Sequence, residues 1–164
     1  MSTGQRTVIV LNRRSLILSA GAAALAFPSG LLRADDGLPV KMERSGQFEE
    51  AFAALVAGAT PLEGKVTFEL PEVAENGNFV PLSVSVDSPM TPEDYVKTIH
   101  ILSTANPVAR IASFHLSPVN GVAKVMSRIR LAKTQDVIAL AQLSTGLTAI
   151  ATATVKVTIG GCSN

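Results

Sequence analysis

The run Leu147-Thr148-Ala149-Ile150-Ala151-Thr152-Ala153-Thr154-Val155-Lys156-Val157-Thr158-Ile159 decides the fold class. Within it, Ala151, Ala153, Val155, Val157 and Ile159 alternate with Thr152, Thr154, Lys156 and Thr158. A period of two places the apolar set on one face of a strand and the polar set on the other. The β-branched Thr, Val and Ile residues suit a pleated, half-buried surface. A strand with one apolar face requires a sheet with one face covered.

Working outward, the same period recurs upstream. Val66, Phe68 and Leu70 alternate with Lys65, Thr67 and Glu69, and Leu82, Val84 and Val86 with Ser83, Ser85 and Asp87. Further apolar or β-branched runs cover Tyr95 to Leu102, Val108 to Leu116, Ala123 to Leu131 and Val137 to Leu143. Turn chemistry separates them. Asn76-Gly77 divides the first two strands, and Ser88-Pro89 and Thr91-Pro92 break the chain next. Asn120-Gly121 carries a hairpin signal, and Ser144-Thr145-Gly146 joins the last two strands. About seven short strands with frequent turns predict an all-β fold, an immunoglobulin-like antiparallel β-sandwich. A short helix is expected ahead of it. Ser45 is a suitable N-cap, Glu49 and Glu50 complement the helix dipole, and Gly58 ends the helix. Phe48, Phe52, Leu55 and Val56 fall at helical spacing between them.

The first 34 residues read as an address. Arg13-Arg14 precede Ser15 and the apolar run Leu16 to Phe27, a length of about 12 residues against the roughly 20 of a membrane span. A cationic segment before a short apolar one is the layout of an export signal, and the arginine pair resembles a twin-arginine (Tat) leader. Cleavage is expected after Ala34. The domains are then a signal peptide over 1–34, a sandwich domain over 35–159 and a flexible carboxyl-terminal arm over 160–164. The expected location is the periplasm, with no membrane anchor.

Composition removes many functions. The 164 residues are 47% hydrophobic, enough for a core, and carry a net charge of +1, which gives no electrostatic case for binding nucleic acid. Aromatics make up 4%, with no Trp, which argues against stacking platforms. A single Cys excludes an internal disulfide, a Cys-x-x-Cys pair and a Cys-based zinc site. His100 and His115, fifteen positions apart, have no neighbouring Asp, Glu or Cys at ligand spacing, and read as structural. Ser113, Ser117 and Ser127 lack a Gly-x-Ser-x-Gly context. Arg128 and Arg130 share one strand face, which reads as solvated or as a contact for an acidic partner. Ala149, Ala151 and Ala153 read as permitting close sheet approach or as ordinary core.

The chemistry concentrates at Ile159-Gly160-Gly161-Cys162-Ser163-Asn164. A regular strand runs into two glycines and then the lone thiol. Glycines add no bulk and permit wide backbone freedom, so Gly160 and Gly161 are expected to make a thin flexible arm. Three residues beyond Ile159 reach roughly 10 Å when extended. Nothing local activates the thiol, so it reads as a handle on which other enzymes act rather than as a catalytic group. In an oxidising compartment such a Cys needs a partner or a task.

The tail is similar to that of the SoxY family, the sulfur-carrying subunit of the periplasmic sulfur-oxidising (Sox) system. That family ends in Val-Lys-Val-Thr-Ile-Gly-Gly-Cys-Gly-Gly, and the match here runs from Val155 through Cys162. The resemblance continues over Thr60 to Gly64, Ala74 to Pro81, Val86 to Met90, Asn106-Pro107, Asn120-Gly121 and Ser127 to Gln135. It implies a non-catalytic carrier that forms a heterodimer with SoxZ and holds sulfur intermediates on Cys162. It also implies that the haem-containing SoxAX conjugates thiosulfate to the thiol, and that the di-manganese SoxB releases sulfate to leave a persulfide. In some organisms the SoxCD dehydrogenase oxidises that sulfur further. Haem and manganese would belong to these partners, with no cofactor or metal in this chain. Ser163 and Asn164 depart from the family's two glycines, which implies altered access to partner channels. The competing reading is a periplasmic binding or assembly module with an inert Cys162, or a specialised paralogue with altered partner use.

Overall fold

The computed structural model describes residues 44–161. The expected leader over 1–34 and the residues Cys162, Ser163 and Asn164 lie outside them. Among the described residues, one α-helix and eight strands occur in the order α1 (Gly46–Val56), β1 (Val66–Glu69), β2 (Val73–Asn76), β3 (Val80–Val86), β4 (Val96–Ser103), β5 (Arg110–His115), β6 (Ala123–Ile129), β7 (Gln135–Leu143) and β8 (Thr148–Ile159). They form a two-sheet, immunoglobulin-like sandwich. The smaller sheet has the order β1-β3-β6, the larger β2-β8-β7-β4-β5.

The core lies between the sheets. Val80, Leu82, Val84 and Val86 of β3 face Ile99 and Ile101 of β4 and Val137, Ala139 and Ala141 of β7. The period-two reading of β8 holds, with Ala149 and Val155 buried and Thr152, Thr154, Lys156 and Thr158 exposed. Ala149 and Ala151 belong to this core, where Ala149 pairs with Ala141 and Ala151 with Ala139.

Helix α1 caps the other face of the large sheet. Phe48 is buried with Leu102, Ala109 and Ile138, and Phe52, Leu55 and Ile150 pack beside them. Ser45 is the N-cap, its hydroxyl accepting from the Phe48 N–H at 3.2 Å. The helix ends differently from expectation. Ala57 adopts the left-handed conformation (φ 48°, ψ 35°) and donates its N–H to the Ala53 carbonyl. Gly58 follows with φ 79°.

Two turn readings are corrected. Asn120-Gly121 does not close a hairpin, because β5 and β6 lie in different sheets. Pro118–Asn120 forms a 3-10 turn, with the Asn120 Oδ1 accepting from the Ser117 N–H at 2.8 Å, and carries the chain from one sheet to the other. Likewise Asn76-Gly77 does not simply join β1 to β3. The additional strand β2 intervenes, and it pairs parallel with β8, Val73 opposite Lys156 and Asn76 opposite Ile159. The other strand pairings are antiparallel. The Ser144-Thr145-Gly146 reading stands, with Gly146 at φ 84° between β7 and β8.

Candidate functional site

Three segments distant in sequence meet where β8 ends. The parallel β2–β8 pairing delivers Asn76 beside Ile159. The chain then turns: the Asn76 Oδ1 accepts from the Asn78 N–H at 2.9 Å and the Asn76 carbonyl from the Phe79 N–H at 3.2 Å. This turn presents Gly77 to both other segments. The Gly77 N–H donates to the Ile159 carbonyl at 2.7 Å, and the Gly77 carbonyl accepts from the Leu131 N–H at 2.8 Å. The Leu131 carbonyl in turn accepts from the Gly161 N–H at 2.9 Å. The result is a closed circuit of backbone hydrogen bonds through residues 77, 131 and 159–161.

The circuit explains the glycines by proximity. A Cβ on Gly161 would overlap the Gly77 carbonyl and the Asn78 nitrogen, and one on Gly160 would overlap the Ala132 carbonyl oxygen. A Cβ on Gly77 would overlap the Leu131 oxygen and lie 2.8 Å from the Gly161 nitrogen. Gly160 and Gly161, expected from the sequence to form a flexible arm, are thus both seated against backbone. Thr134 adds a further tie, its hydroxyl accepting from the Val157 N–H at 2.9 Å. Cys162 is the next residue along the chain from Gly161.

Beneath the circuit lies a buried polar network that the sequence reading did not single out. Asn106 is 7% exposed and Gln135 fully buried. The Asn106 amide donates to the Arg130 carbonyl at 2.8 Å and accepts from the Ala132 N–H at 2.9 Å and the Gln135 Nε2 at 2.8 Å. The Gln135 Oε1 accepts from the Ala105 N–H, and the Ser103 hydroxyl from the Asn106 N–H. The available signal was an Asn and a Gln inside otherwise apolar or turn-forming segments, where buried amides must be satisfied.

Beside the turn, Phe79 is 58% exposed, with the Arg128 guanidinium 4.5 Å from its ring centroid. This cation–π pair opens onto the outer face of the small sheet, beside a shallow groove lined by Pro81, Leu82, Met126, Ser127 and Arg128. Arg128 and Arg130 are both exposed, as the strand pattern predicts.

The histidines lie elsewhere, on adjacent strands β4 and β5. His100 Nδ1 shares a 2.7 Å hydrogen bond with the Ser113 hydroxyl, and His115 Nδ1 a 3.2 Å one with Thr98. Burial is the main influence lowering the His100 pKa, the Gln142 hydrogen bond opposes it, and the charges of Arg110 and His115 reinforce it. Ser113 and His100 thus meet as a nucleophile and base would, but the neighbours that act on His100 include no carboxylate to orient it. Among the described residues no group of three or more His, Cys, Asp or Glu is placed to hold a metal ion. No described helix is long and apolar enough to cross a membrane.

Comparison with curated proteins gives no match. Among solved structures, the sulfur carrier protein SoxY from Chlorobium limicola f thiosulfatophilum is 31% identical, with a TM-score of 0.56 over 67% of this chain and 90% of that one. A superoxide reductase (neelaredoxin) variant from Ignicoccus hospitalis gives a TM-score of 0.51 at 18% identity, covering 66% of this chain and 86% of that one. At that identity the second likeness shows a shared sandwich fold alone. The family model for sulfur oxidation protein SoxY matches residues 52–162, a span that takes in the Asn76–Phe79 turn, the Asn106–Gln135 network, both glycines and the lone cysteine. The chain therefore belongs to the SoxY family.

Proposed function

We propose that this protein is a covalent carrier of sulfur intermediates, attached through the thiol of Cys162, and is itself non-catalytic. The observation that carries the reading is the family match extending through Cys162, directly after two glycines held at the end of β8. The 31% identity to a sulfur carrier protein supports it.

The chemistry needs one thiol. Thiosulfate joins the thiolate as an S–S bond forms between Sγ and the outer sulfur, giving Cys–S–S–SO3⁻ and releasing two electrons to a haem-containing oxidant. Water then cleaves the S–SO3 bond, releasing sulfate and two protons and leaving the persulfide Cys–S–S⁻. Both are S–S caps on a single thiol, removable by further exchange. A second cysteine on the chain would compete for the same bond.

The partners in this reading are SoxZ in a heterodimer, SoxAX for conjugation, SoxB for hydrolysis and SoxCD for further oxidation. Haem and manganese reside in those partners. The Arg13-Arg14 leader over 1–34 takes the folded chain to the periplasm.

Intact-protein mass spectrometry after exposure to thiosulfate and the partner proteins tests this. The expected result is thiosulfonate and persulfide mass increments on the carboxyl-terminal peptide, abolished in Cys162→Ser. An unmodified Cys162 in an otherwise active sulfur-oxidising mixture would sink the proposal and favour a binding or assembly module.

A further inference from the structure

The backbone of Leu131 faces two ways. Its own N–H and C=O bond to Gly77 and Gly161, while the flanking Arg130 C=O and Ala132 N–H turn to the opposite side. This is the alternation of an extended chain, in which neighbouring peptide groups point in opposite directions. One side chain meets the second set. The Asn106 amide donates to Arg130 and accepts from Ala132, as a partner strand would, and Gln135 fixes its orientation by donating to the same oxygen. Gln135 is in turn held through the Ala105 N–H.

We infer that Asn106 is a positioning residue for the sulfur-bearing terminus, holding the Leu131 peptide groups where they grip Gly77 and Gly161 and so fixing the point from which Cys162 departs. The chain of contacts is short: Asn106 to the peptides on either side of Leu131, Leu131 to Gly161, Gly161 to Cys162. The site asks for one donor and one acceptor on a short planar group. Leucine offers neither. An ionised aspartate offers two acceptors, one of them aimed at the Arg130 carbonyl. A protonated aspartate restores the donor and the acceptor in nearly the same shape. Placing an amide out of water is worthwhile only when its bonds are made, and here the backbone they fix is the backbone that holds the terminus.

The functional half of this inference rests on the carrier reading, whereas the structural half needs no sulfur chemistry. The test uses the full chain with SoxZ. Amide hydrogen exchange of Gly161 is followed against the core amides of Ile101 and Leu140 as a measure of global opening. In Asn106→Leu, Gly161 exchange is expected to rise roughly tenfold relative to those core amides, the scale of one to two lost hydrogen bonds. Asn106→Asp is expected to match it at neutral pH and to return towards wild type as the pH falls and the carboxyl takes up a proton. If Asn106→Leu does not fold, this recovery still decides the matter. In parallel, partner-driven thiosulfate conjugation to Cys162 is expected to fall about tenfold in Asn106→Leu, while alkylation by iodoacetamide, which needs no positioned thiol, changes by less than about twofold. Gly161 exchange that moves only in step with the core amides, or that fails to recover in Asn106→Asp at low pH, overturns the inference. A wild-type chain that takes up no thiosulfate would instead count against the carrier reading and leave the exchange result to stand.

Discussion

Gly77 and Gly161 lie backbone against backbone: a Cβ on the first would come within 2.8 Å of the nitrogen of the second, and a Cβ on the second would overlap the carbonyl of the first. Neither glycine is required there by a left-handed φ. Gly161 is required by the space that the Gly77–Asn78 peptide occupies, and Gly77 by the Leu131 carbonyl together with Gly161.

Gly77→Ala should therefore separate the terminus from its seat. The methyl group meets backbone atoms of Leu131 and Gly161, which have little room to yield. The expected cost is about 1–3 kcal/mol of stability, read from chemical denaturation. Partner-driven loading of Cys162 should fall alongside it. Wild-type stability and loading in Gly77→Ala would show that the contact is easily relieved.

Ala57 and Gly58 make a paired prediction. Ala57 sits at φ 48° at the end of α1, where its Cβ crowds the backbone, and Gly58 takes φ 79° without that cost. Ala57→Gly should stabilise by about 0.5–1 kcal/mol and Gly58→Ala should destabilise by about 1 kcal/mol. Urea midpoints at constant m-value measure both. Helix α1 covers the face of the large sheet that carries Leu102 and Ile138, so loading of Cys162 should be unaffected in either variant.

His100 introduces a pH dependence. Its pKa in the folded protein lies below the ordinary 6.5, chiefly because burial disfavours the charged ring, so the unfolded chain binds the proton more readily. The stability linked to His100 is therefore complete above 6.5 and is lost as the pH falls from there through the lower folded value. Denaturation midpoints at pH 7.5 and 5 should differ more for wild type than for His100→Gln. An equal difference in both proteins would assign the pH dependence to other groups.

Ser163→Gly with Asn164→Gly restores the family's carboxyl-terminal pair. Partner turnover should change while the melting temperature stays within about 1 °C, because the two positions follow the last strand of the sandwich. Identical kinetics with every partner would make the Ser-Asn ending neutral.

The fold was legible where side-chain period spoke clearly. Strands β1, β3 and β8 declared themselves by alternation, and α1 by Ser45 and the spacing of Phe48 and Phe52. Strand β2 did not, because Val73–Asn76 is four residues long and only Ala74 is buried. Its pairing with β8 depends on backbone groups, which leave no mark on residue type. Asn120-Gly121 misled for a related reason: a turn dipeptide signals reversal but does not say which sheet receives the chain. At the site, the glycines and the cysteine were visible, but the reason for the glycines was not. Proximity to Gly77 and Leu131 is a property of tertiary packing. Asn106 and Gln135 fell within stretches that carry the family resemblance, but their role was not legible because a buried amide and an exposed one look alike in a sequence.

Strand β8 is the last strand among the described residues yet lies inside its sheet, between β2 and β7. A chain synthesised only as far as β7 has no bridge between β2 and the rest of that sheet. The large sheet closes only once Ile159 has emerged: β8 folds back locally on β7, but its pairing with β2 joins residues far apart in sequence, Val73 with Lys156 and Asn76 with Ile159. The seat of Gly161 thus depends on a strand that holds the two parts of the large sheet together. A copy that ends before β8 lacks both the bridge across the large sheet and the residues that reach Leu131 and Gly77.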